Sequence, residues 1–294
     1  MKTFATNKLL RNAIRLEKRA GKTVAFVPTM GNLHEGHMQL VRKARQLADV
    51  VVVSIFVNPL QFGANEDLGN YPRTLAEDKQ KLFAEGVNYL FYPAVEEIYP
   101  EGLDKQCRVT VPELSETLCG ASRPGHFTGV ATVVSKLFNI VQPDSAVFGK
   151  KDFQQLAIIE KMVEDLCMPI DIVGIETARD VDGLALSSRN GYLTKQERAI
   201  APFIHATLQE LREAVACGFD NYVDLEKHAR EKLKSVGFEP DYVSVRDART
   251  LKEVNPYTEQ IVILAAAKLG KTRLIDNVSI TLDPGADWGM LATH

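Results

Sequence analysis

The chain is poor in cysteine and tryptophan, and it contains no long apolar run. Its four cysteines are widely spaced and form no CxxC pair, which argues against a zinc knuckle or a disulfide framework and fits a reducing cytoplasm. The longest apolar stretches, at 50–57 and 261–267, are far shorter than the roughly 20 residues of a membrane-spanning helix. No apolar signal-peptide region follows Met1. We therefore expect a cytoplasmic protein with no membrane partner.

An excess of positive charge is also lacking. The formal net charge is −3 and the isoelectric point is about 6.1, so we expect no nucleic-acid partner. Hydrophobic residues make up 45% of the sequence and charged residues 25%, which excludes a disordered or fibrous protein. A length of 294 residues is enough for one large domain or two smaller ones.

The sequence does contain a regular alternation of strand-like and helix-like segments through about residue 177. Nearly continuous apolar runs are typical of parallel strands that are buried on both faces. One helix begins with capping-box spacing at Thr74–Glu77. The predicted strands are 23–27, 49–57, 89–92, 146–148 and 170–177, and the predicted helices are 9–20, 38–47, 74–85, 129–141 and 153–166. This order predicts an α/β fold with a Rossmann-like parallel sheet.

The pattern changes near the middle of the chain, between Thr177 and Asp182. A second capping box at Thr194–Glu197 begins a long helix, and Gly270-Lys271 is a candidate hairpin turn. The predicted elements are helices at 194–216 and 223–236 and strands at 242–245, 260–267 and 273–280. We therefore predict two domains, residues 1–177 and a smaller α+β domain of residues 178–294. The polar tail from Asp283 to His294 is expected to be frayed.

The strongest functional signal is the segment PTMGNLHEGH at 28–37, where a predicted strand passes into a predicted helix. Backbone N–H groups at a helix N-terminus carry partial positive charge, and the spacing of His34 and His37 puts both on one face of the first turn. The segment is therefore a candidate anion site, with the phosphates of a nucleotide as its expected ligand. The alternatives are a fragment of a zinc site, for which no third ligand has obvious spacing, and a surface capping turn.

Four further polar clusters could carry chemistry. They are VNPLQF at 57–62, RPGHF at 123–127, FGKKDFQQ at 148–155 and ALSSRNG at 185–191. The carboxyl ends of parallel strands line the ligand crevice of an open α/β sheet, so one crevice could collect several of these clusters. Each cluster also has a simpler interpretation: a strand end, an ion pair, a solvated lysine pair or a helix cap. Asp78, inside the third predicted helix, is most simply a solvated helix residue.

In ordered combination, these motifs closely resemble the pantothenate synthetase (pantoate–β-alanine ligase) family. The resemblance extends through about Leu282 and rests on PTMGNLHEGH, VSIFVNPLQF, YPRT, SRPGHFTGV, FGKKDFQQ and DGLALSSRNGYL. It implies an ATP-dependent ligase that joins pantoate to β-alanine through a pantoyl adenylate and releases AMP and pyrophosphate. It also implies a homodimer and membership of the nucleotidyltransferases with a HIGH-type motif, represented here by His34–His37.

The resemblance assigns roles residue by residue. The implied catalytic groups, acting with Mg²⁺, are His34, His37, Lys151, Ser188 and Arg189. The expected nucleotide contacts are Met30, Gly31, Asn32, Leu33, His34, Glu35, Gly36, His37, Gly149, Lys150, Lys151, Asp152, Ala178, Leu186, Ser187, Ser188 and Arg189. Pantoate is expected to contact Gln61 and Gln155, of which Gln61 also meets β-alanine. The further candidate substrate contacts are Asn58, Arg123 and His126. The candidate metal ligand is Asp78.

Three positions require comment. Relatives commonly carry glutamate at the position of Lys150 and methionine at that of Leu186, and neither difference undermines the assignment. The family assigns a proton-donor role to the position of His37. Because adenylation needs no net proton transfer, we interpret His37 chiefly as a hydrogen-bond donor to phosphate.

The same motifs also allow two other classes of protein. An adenylyltransferase for a phosphorylated cofactor precursor would want cationic residues around its acceptor site in place of the two glutamines. A non-catalytic nucleotide-binding module has no need of groups that stabilise a transition state, so retention of both histidines and Lys151 speaks against it.

Overall fold

The computed structural model of the protein describes residues 1–63, 66 and 68–282. The chain forms two compact units by its contacts: the first contains 1–178 and 186–188, and the second contains 179–185 and the chain from 189 onward. The tail predicted to fray, 283–294, lies outside the described residues. Within the described ranges, no helix is long and apolar enough to cross a membrane.

Within the described residues, the first unit is an α/β structure. Its strands are β1 (Lys2–Phe4), β2 (Val24–Thr29), β3 (Val50–Ile55), β4 (Tyr89–Phe91), β5 (Ser145–Gly149) and β6 (Asp171–Ile175). Its helices are α1 (Asn7–Arg19), α2 (Glu35–Leu47), α3 (Leu75–Ala84), α4 (Val95–Ile98), α5 (Cys119–Ser122), α6 (His126–Val141) and α7 (Phe153–Asp165). Three short 3₁₀ turns accompany them, at Pro59–Gln61, Leu68–Asn70 and Lys150–Asp152.

All strands of this sheet are parallel, in the order β1-β4-β3-β2-β5-β6. The strand order therefore reverses at β2, which has β3 on one side and β5 on the other. In open α/β sheets the ligand crevice lies at such a reversal, outside the carboxyl ends of the strands. The predicted Rossmann-like sheet is confirmed. The edge strand β1 was not predicted, because three residues are too few to show a period.

Helices cover both faces of the sheet at β2. Ala25 and Val27 belong to the core cluster that contains Met38 and Val41 of α2. The intervening Phe26 points to the other face, since side chains alternate along a strand, and its ring lies 6.3 Å from that of Phe138 in α6. The apolar runs of the sequence are thus explained by burial on both sides.

The second unit pairs three helices with an antiparallel sheet in its described part. The helices are α8 (Lys195–Ile200), α9 (Phe203–Ala216) and α10 (Tyr222–Ser235), and the strands are β7 (Phe238–Asp247), β8 (Gln260–Leu269) and β9 (Thr272–Thr281). The sheet order is β7-β8-β9, and Leu269 pairs with Thr272 around the predicted turn at Gly270-Lys271. The predicted order of helices followed by strands is confirmed.

Two local predictions in the helices need correction. The long helix predicted from Thr194 to Ala216 is interrupted at Pro202, because proline has no backbone N–H and its ring clashes with the preceding turn. The capping box at Thr194 forms, with the Glu197 N–H 3.2 Å from the Thr194 hydroxyl oxygen. The capping box at Thr74 does not form, because the Thr74 hydroxyl donates to the Asp78 carboxylate instead.

A buried ion pair ties β9 to the start of the second unit. Arg179 donates to both carboxylate oxygens of Asp276, at 2.6 and 2.8 Å, and to the Gly183 carbonyl at 3.0 Å. His205 Nδ1 lies 3.4 Å from the same carboxylate. Burial by itself would raise the pKa of Asp276, but the neighbouring His205 and Arg179 hold it below its usual value.

Candidate active site

The site begins at the turn that joins β2 to α2. Gly31 and Asn32 have positive φ angles of 84° and 49°. A Cβ atom at Gly31 would lie 3.0 Å from Ile55 Cγ2 and 3.2 Å from Asp78 Oδ2, so a side chain there would meet both backbone strain and crowding. The glycine of the motif is therefore needed for the turn that brings the chain to the N-terminus of α2.

Asp78 holds this turn in place. Its side chain is almost fully buried, and its carboxylate accepts the backbone N–H of Asn32 at 2.9 Å and that of Leu33 at 2.8 Å. The Thr74 hydroxyl donates to it at 3.2 Å. The interpretation of Asp78 as a solvated helix residue is wrong, because a buried carboxylate with three donors is a structural anchor.

The metal role expected for Asp78 receives no support from this geometry. Both carboxylate oxygens already accept hydrogen bonds from the protein. Among the described residues, no group of three or more His, Cys, Asp or Glu side chains could hold a metal ion. The donor set therefore does not fit an ion held by the protein alone.

His34 and His37 share the first turn of α2, where His34 is the N-cap residue. Their ring centroids lie 4.1 Å apart with 45° between the ring planes, so the shared face predicted from their spacing is confirmed. A Cβ atom at Gly36 would lie 3.0 Å from the His34 ring and 3.4 Å from the Cβ atom of Ala178. The glycine between the histidines therefore leaves the space that the His34 ring occupies.

Hydrogen bonding fixes where the His37 ring carries its proton. The His34 backbone N–H donates to His37 Nδ1 at 3.2 Å, so Nδ1 is an acceptor and the neutral ring is protonated at Nε2. Burial, together with His34 and Lys151, lowers the pKa of His37 to about 3. Burial, then Lys151 and Lys81, lowers the pKa of His34 to about 4. Both rings are therefore neutral near pH 7.

The His34 side chain also belongs to the first turn of α2. Its Nδ1 atom is buried, and the side chain takes part in a capping-box arrangement with His37, so this nitrogen faces the backbone of the helix start.

The FGKKDFQQ motif lies at the carboxyl end of β5, the strand next to β2. Lys151 acts on both histidines, since its charge lowers the pKa of His34 and of His37. Lys150 forms an ion pair with Glu176, which is itself largely exposed. The two adjacent lysines therefore have different surroundings. Lys151 acts on the histidines and is not simply a solvated residue, whereas Lys150 pairs with an exposed glutamate.

Asn58 supports Gln61, which lies on the 3₁₀ turn after β3. Its amide donates to Gln61 Oε1 and to the Gly129 carbonyl, both at 3.1 Å. Its side-chain oxygen accepts the Leu60 N–H at 3.3 Å and the Tyr99 hydroxyl at 2.8 Å. Every hydrogen-bonding position of this buried amide is thus occupied by the protein. Asn58 thus positions Gln61, and its contact with substrate stays a prediction.

Gln61 itself is nearly buried, and its amide nitrogen lies 3.2 Å from the Met30 sulfur. Gly129 allows α6 to approach this turn, because a Cβ atom there would lie 2.4 Å from the Leu60 carbonyl oxygen. The sequence reasoning missed Gly129 as a support of the site, although it falls within the SRPGHFTGV motif. It also missed Tyr99, for which the sequence gives no signal.

Arg123 and His126 are occupied by protein partners. Arg123 forms a two-pronged ion pair with Glu66, with both distances 2.6 Å, which supports the ion-pair interpretation. Its remaining nitrogen lies 3.0 Å from His126 Nε2, and His126 Nδ1 lies 2.7 Å from the Gln61 carbonyl oxygen. Burial, then Arg123, lowers the pKa of His126 to about 4. His126 is therefore neutral, with both nitrogens engaged, and it positions the Gln61 backbone; its contact with substrate stays a prediction.

The paired glutamines of α7 have contrasting roles. Gln154 is buried and holds the segment before α5 through the Leu114 and Thr117 carbonyls, at 2.8 and 2.7 Å, and the Cys119 N–H at 3.1 Å. Gln155 is half-buried, and its side chain makes no hydrogen bond within the part of the chain that the structure describes. Gln155 thus keeps its full hydrogen-bonding capacity for a ligand, as predicted substrate contacts require.

The LSSR loop divides between the two units. Leu186–Ser188 belongs to the first unit: the Leu186 N–H donates to the Ala178 carbonyl at 2.8 Å, and the Ser188 hydroxyl donates to the Asn32 carbonyl at 3.3 Å. Ser188 therefore joins the turn that precedes the histidines. Arg189 begins the next segment of the second unit.

Known proteins resemble the chain over nearly its whole length. The family model described as pantoate-beta-alanine ligase matches residues 2–279. The pantothenate synthetase of Pseudomonas putida is 59% identical over 283 residues, covering 96% of this chain and 99% of the relative. That of Vibrio parahaemolyticus is 57% identical over 282 residues, covering 96% and 94%.

Solved structures give the same result. The crystal structure of pantothenate synthetase from Thermus thermophilus has a TM-score of 0.88 at 44% identity, covering 95% of this chain and 99% of that one. Pantoate-beta-alanine ligase from Francisella tularensis, complexed with beta-gamma ATP and beta-alanine, has a TM-score of 0.79 at 36% identity, covering 95% and 97%. The chain therefore belongs to the pantoate-beta-alanine ligase family.

Proposed function

We propose that this ligase condenses pantoate with β-alanine in two steps, both at the site built on the carboxyl ends of β2, β3 and β5. A pantoate carboxylate oxygen attacks the α-phosphorus of ATP, which forms pantoyl adenylate as the bond to pyrophosphate breaks. The β-alanine amine then attacks the pantoyl carbonyl, and AMP leaves as the amide forms. The amine nitrogen loses a proton in this second step. The observation that carries the proposal is the pair of neutral histidine rings, in contact at 4.1 Å between centroids, beside Lys151.

The first step is needed because a free carboxylate has no leaving group that an amine can displace. Charge on the phosphates must be stabilised in the transition state, and preorganised donors do this best. Neutral His37, protonated at Nε2, is suited to donate a hydrogen bond to a phosphate oxygen without giving up its proton. Lys151 supplies positive charge next to it, and the Ser188 hydroxyl is hydrogen-bonded to the turn that precedes the histidines.

Substrate recognition is assigned to the two glutamines. The side-chain amide of Gln61 contacts Asn58 and Met30, and its backbone carbonyl contacts His126, so Gln61 is positioned before a ligand binds. Gln155 keeps its amide available. An amide can donate to and accept from the hydroxyls of pantoate, and we assign Gln61 a second contact to β-alanine.

The remaining assignments concern the nucleotide. Gly149 and Asp152 are proposed to meet the ribose, where a missing side chain allows close approach and a carboxylate accepts hydroxyl groups. Arg189 is proposed as a phosphate contact. Mg²⁺ is expected to arrive on the nucleotide phosphates, because the protein lacks a fitting donor set in its described residues. The homodimer stays a prediction from the family resemblance, and the cytoplasmic location stays a prediction from the cysteine usage and composition of the sequence.

The experiment is a pyrophosphate-release assay with pantoate and ATP but without β-alanine. The stepwise path predicts one pyrophosphate per active site in a single burst, and AMP only after β-alanine is added. Pyrophosphate release that strictly requires β-alanine would contradict the stepwise path.

Variants test the donors in the same assay. Lys151→Ala and His37→Ala are expected to slow the burst by roughly 10²–10³, the range for loss of one transition-state donor. Lys150→Ala is the matched comparison, because that lysine is paired with Glu176, and its loss is expected to be under about tenfold. Equal losses at the two lysines would refute the assignment of Lys151 as the phosphate ligand.

A further inference from the structure

A second cationic site lies on the first unit, on the side opposite the catalytic loops. Residues of α1 and of the end of α6 line a cavity of about 420 Å³: Arg11, Ile14, Arg15, Lys18, Arg19, Ile140, Val141 and Gln142. The chain passes from α1 into β2 and from α6 into β5 at the amino ends of these strands. The catalytic loops follow the carboxyl ends, so the cavity is separate from the active site.

Three arginines on α1 are spaced so that their positive charges repel one another. Arg11, Arg15 and Arg19 follow one another at intervals of four, where like charges repel and destabilise a helix. Lys18 is neutralised by Asp144 at 3.0 Å, and Arg11 donates to the Asn139 carbonyl at 2.9 Å.

The two remaining arginines are different. The side chains of Arg15 and Arg19 are exposed, and neither guanidinium group forms a hydrogen bond or an ion pair within the described part of the chain. Arg11, by contrast, is held at the negative end of the α6 dipole.

The wall beneath these cations is apolar. Ile14, Ile140 and Val141 are all buried. Arg15 and Arg19 are themselves exposed, so water and salt screen their attraction for an anion, and binding is expected at low ionic strength. A guanidinium group matches the geometry of a phosphate through two parallel hydrogen bonds, and two such groups favour a ligand with more than one phosphate. The cavity volume lies in the range of small-molecule pockets.

We propose that this cavity binds a phosphorylated small molecule with at least two phosphate groups. The cations are too few, and the chain as a whole too acidic, for a nucleic-acid surface. The ligand contacts Arg15 and Arg19 directly. The site is remote from the catalytic residues, so its loss leaves the basal reaction rate unchanged.

The test uses inorganic tripolyphosphate as the probe and the full-length protein at low ionic strength. Two-dimensional amide NMR locates binding, because the active site also takes phosphate groups. We expect saturable shifts of amides in Arg11–Arg19 and Asn139–Gln142, in addition to shifts in the catalytic loops.

An Arg15→Gln/Arg19→Gln double variant is expected to weaken binding at the cavity by roughly tenfold or more, with kcat and KM for ATP unchanged. The matched control is Lys105→Gln/Lys271→Gln, which removes the same charge at two other exposed positions and should retain the cavity shifts. Shifts confined to the catalytic loops would overturn the proposal. Equal weakening in both double variants would do so as well, because it would show nonspecific attraction to net charge.

Discussion

Replacing Asp78 by asparagine separates its observed role as an anchor from its expected role as a metal ligand. The carboxylate accepts two backbone N–H groups, of Asn32 and Leu33, and the Thr74 hydroxyl. An asparagine has one acceptor oxygen, and its NH₂ group would face at least one of these donors. The substitution therefore leaves a buried N–H without a partner in the turn that carries the histidines.

The size of the effect follows from these contacts. A hydrogen bond to a charged group contributes about 1.5–3 kcal/mol, and a buried donor left unsatisfied costs about 1–3 kcal/mol. Because such terms do not add fully, we expect Asp78→Asn to lower the free energy of unfolding by about 3–4 kcal/mol. Urea denaturation of the full chain measures this loss. Glu77→Gln is the matched control, since it is exposed on the same helical turn, and its effect should stay within about 0.5 kcal/mol.

The Mg²⁺ dependence of the same variant decides between the two roles. An anchor predicts a slower reaction whose half-activating Mg²⁺ concentration matches that of the wild type. A metal ligand predicts a half-activating concentration raised at least about tenfold, with stability close to that of Glu77→Gln. The second result would refute the reasoning from the hydrogen bonds of Asp78.

Three further predictions concern titration, the buried ion pair and packing. Because burial lowers the pKa of His37 to about 3, its neutral form stabilises the fold fully above pH 6.5, and this stability is lost as the pH falls toward 3. Urea denaturation at a series of pH values should show that the free energy of unfolding falls less at acid pH in His37→Gln than in the wild type. Asp276→Asn leaves Arg179 without its partner and should cost about 3 kcal/mol in the same measurement. Gly129→Ala forces α6 away from the turn that holds Gln61 and should raise KM for pantoate, measured by steady-state kinetics, with little change in KM for ATP.

Two of these predictions have a matched control variant. For the ion pair it is Asp180→Asn, whose exposed carboxylate pairs with Arg198 and whose loss should cost under about 1 kcal/mol. For packing it is Gly69→Ala, where a Cβ atom would meet nothing within 4 Å. Equal losses of unfolding free energy at Asp180 and Asp276 would contradict the argument on the buried ion pair. An unchanged KM for pantoate in Gly129→Ala would contradict the argument on packing. The same dependence of stability on acid pH in wild type and His37→Gln would contradict the argument on titration.

The sheet could be predicted from the sequence because its signal is local. A strand buried on both faces reads as a continuous apolar run, as at Val50–Ile55, and the helices between strands show their own period. Two local predictions failed because a single residue prevented the predicted structure. Pro202 interrupts an otherwise helical segment, and Thr74 has the spacing of a capping box but donates its hydroxyl to Asp78.

The candidate site was predictable only where its residues are adjacent in sequence. The histidine pair and its intervening glycine follow from the geometry of a helix start, and their spacing is visible in the motif. The role of Asn58 was not visible, because its partners Tyr99 and Gly129 lie 41 and 71 residues away. Sequence spacing carries no information about contacts at that distance.

The structure separates polar residues near the site by how much hydrogen-bonding capacity each has left. The side chains of Asn58 and His126 are engaged by protein partners, and both orient Gln61. The Gln155 side chain retains all of its capacity among the described residues. Polar groups left unpaired in a folded protein are unfavourable unless a ligand completes them. The groups with capacity left are therefore those expected to contact substrate, and the satisfied ones are the rigid support that makes the contact specific.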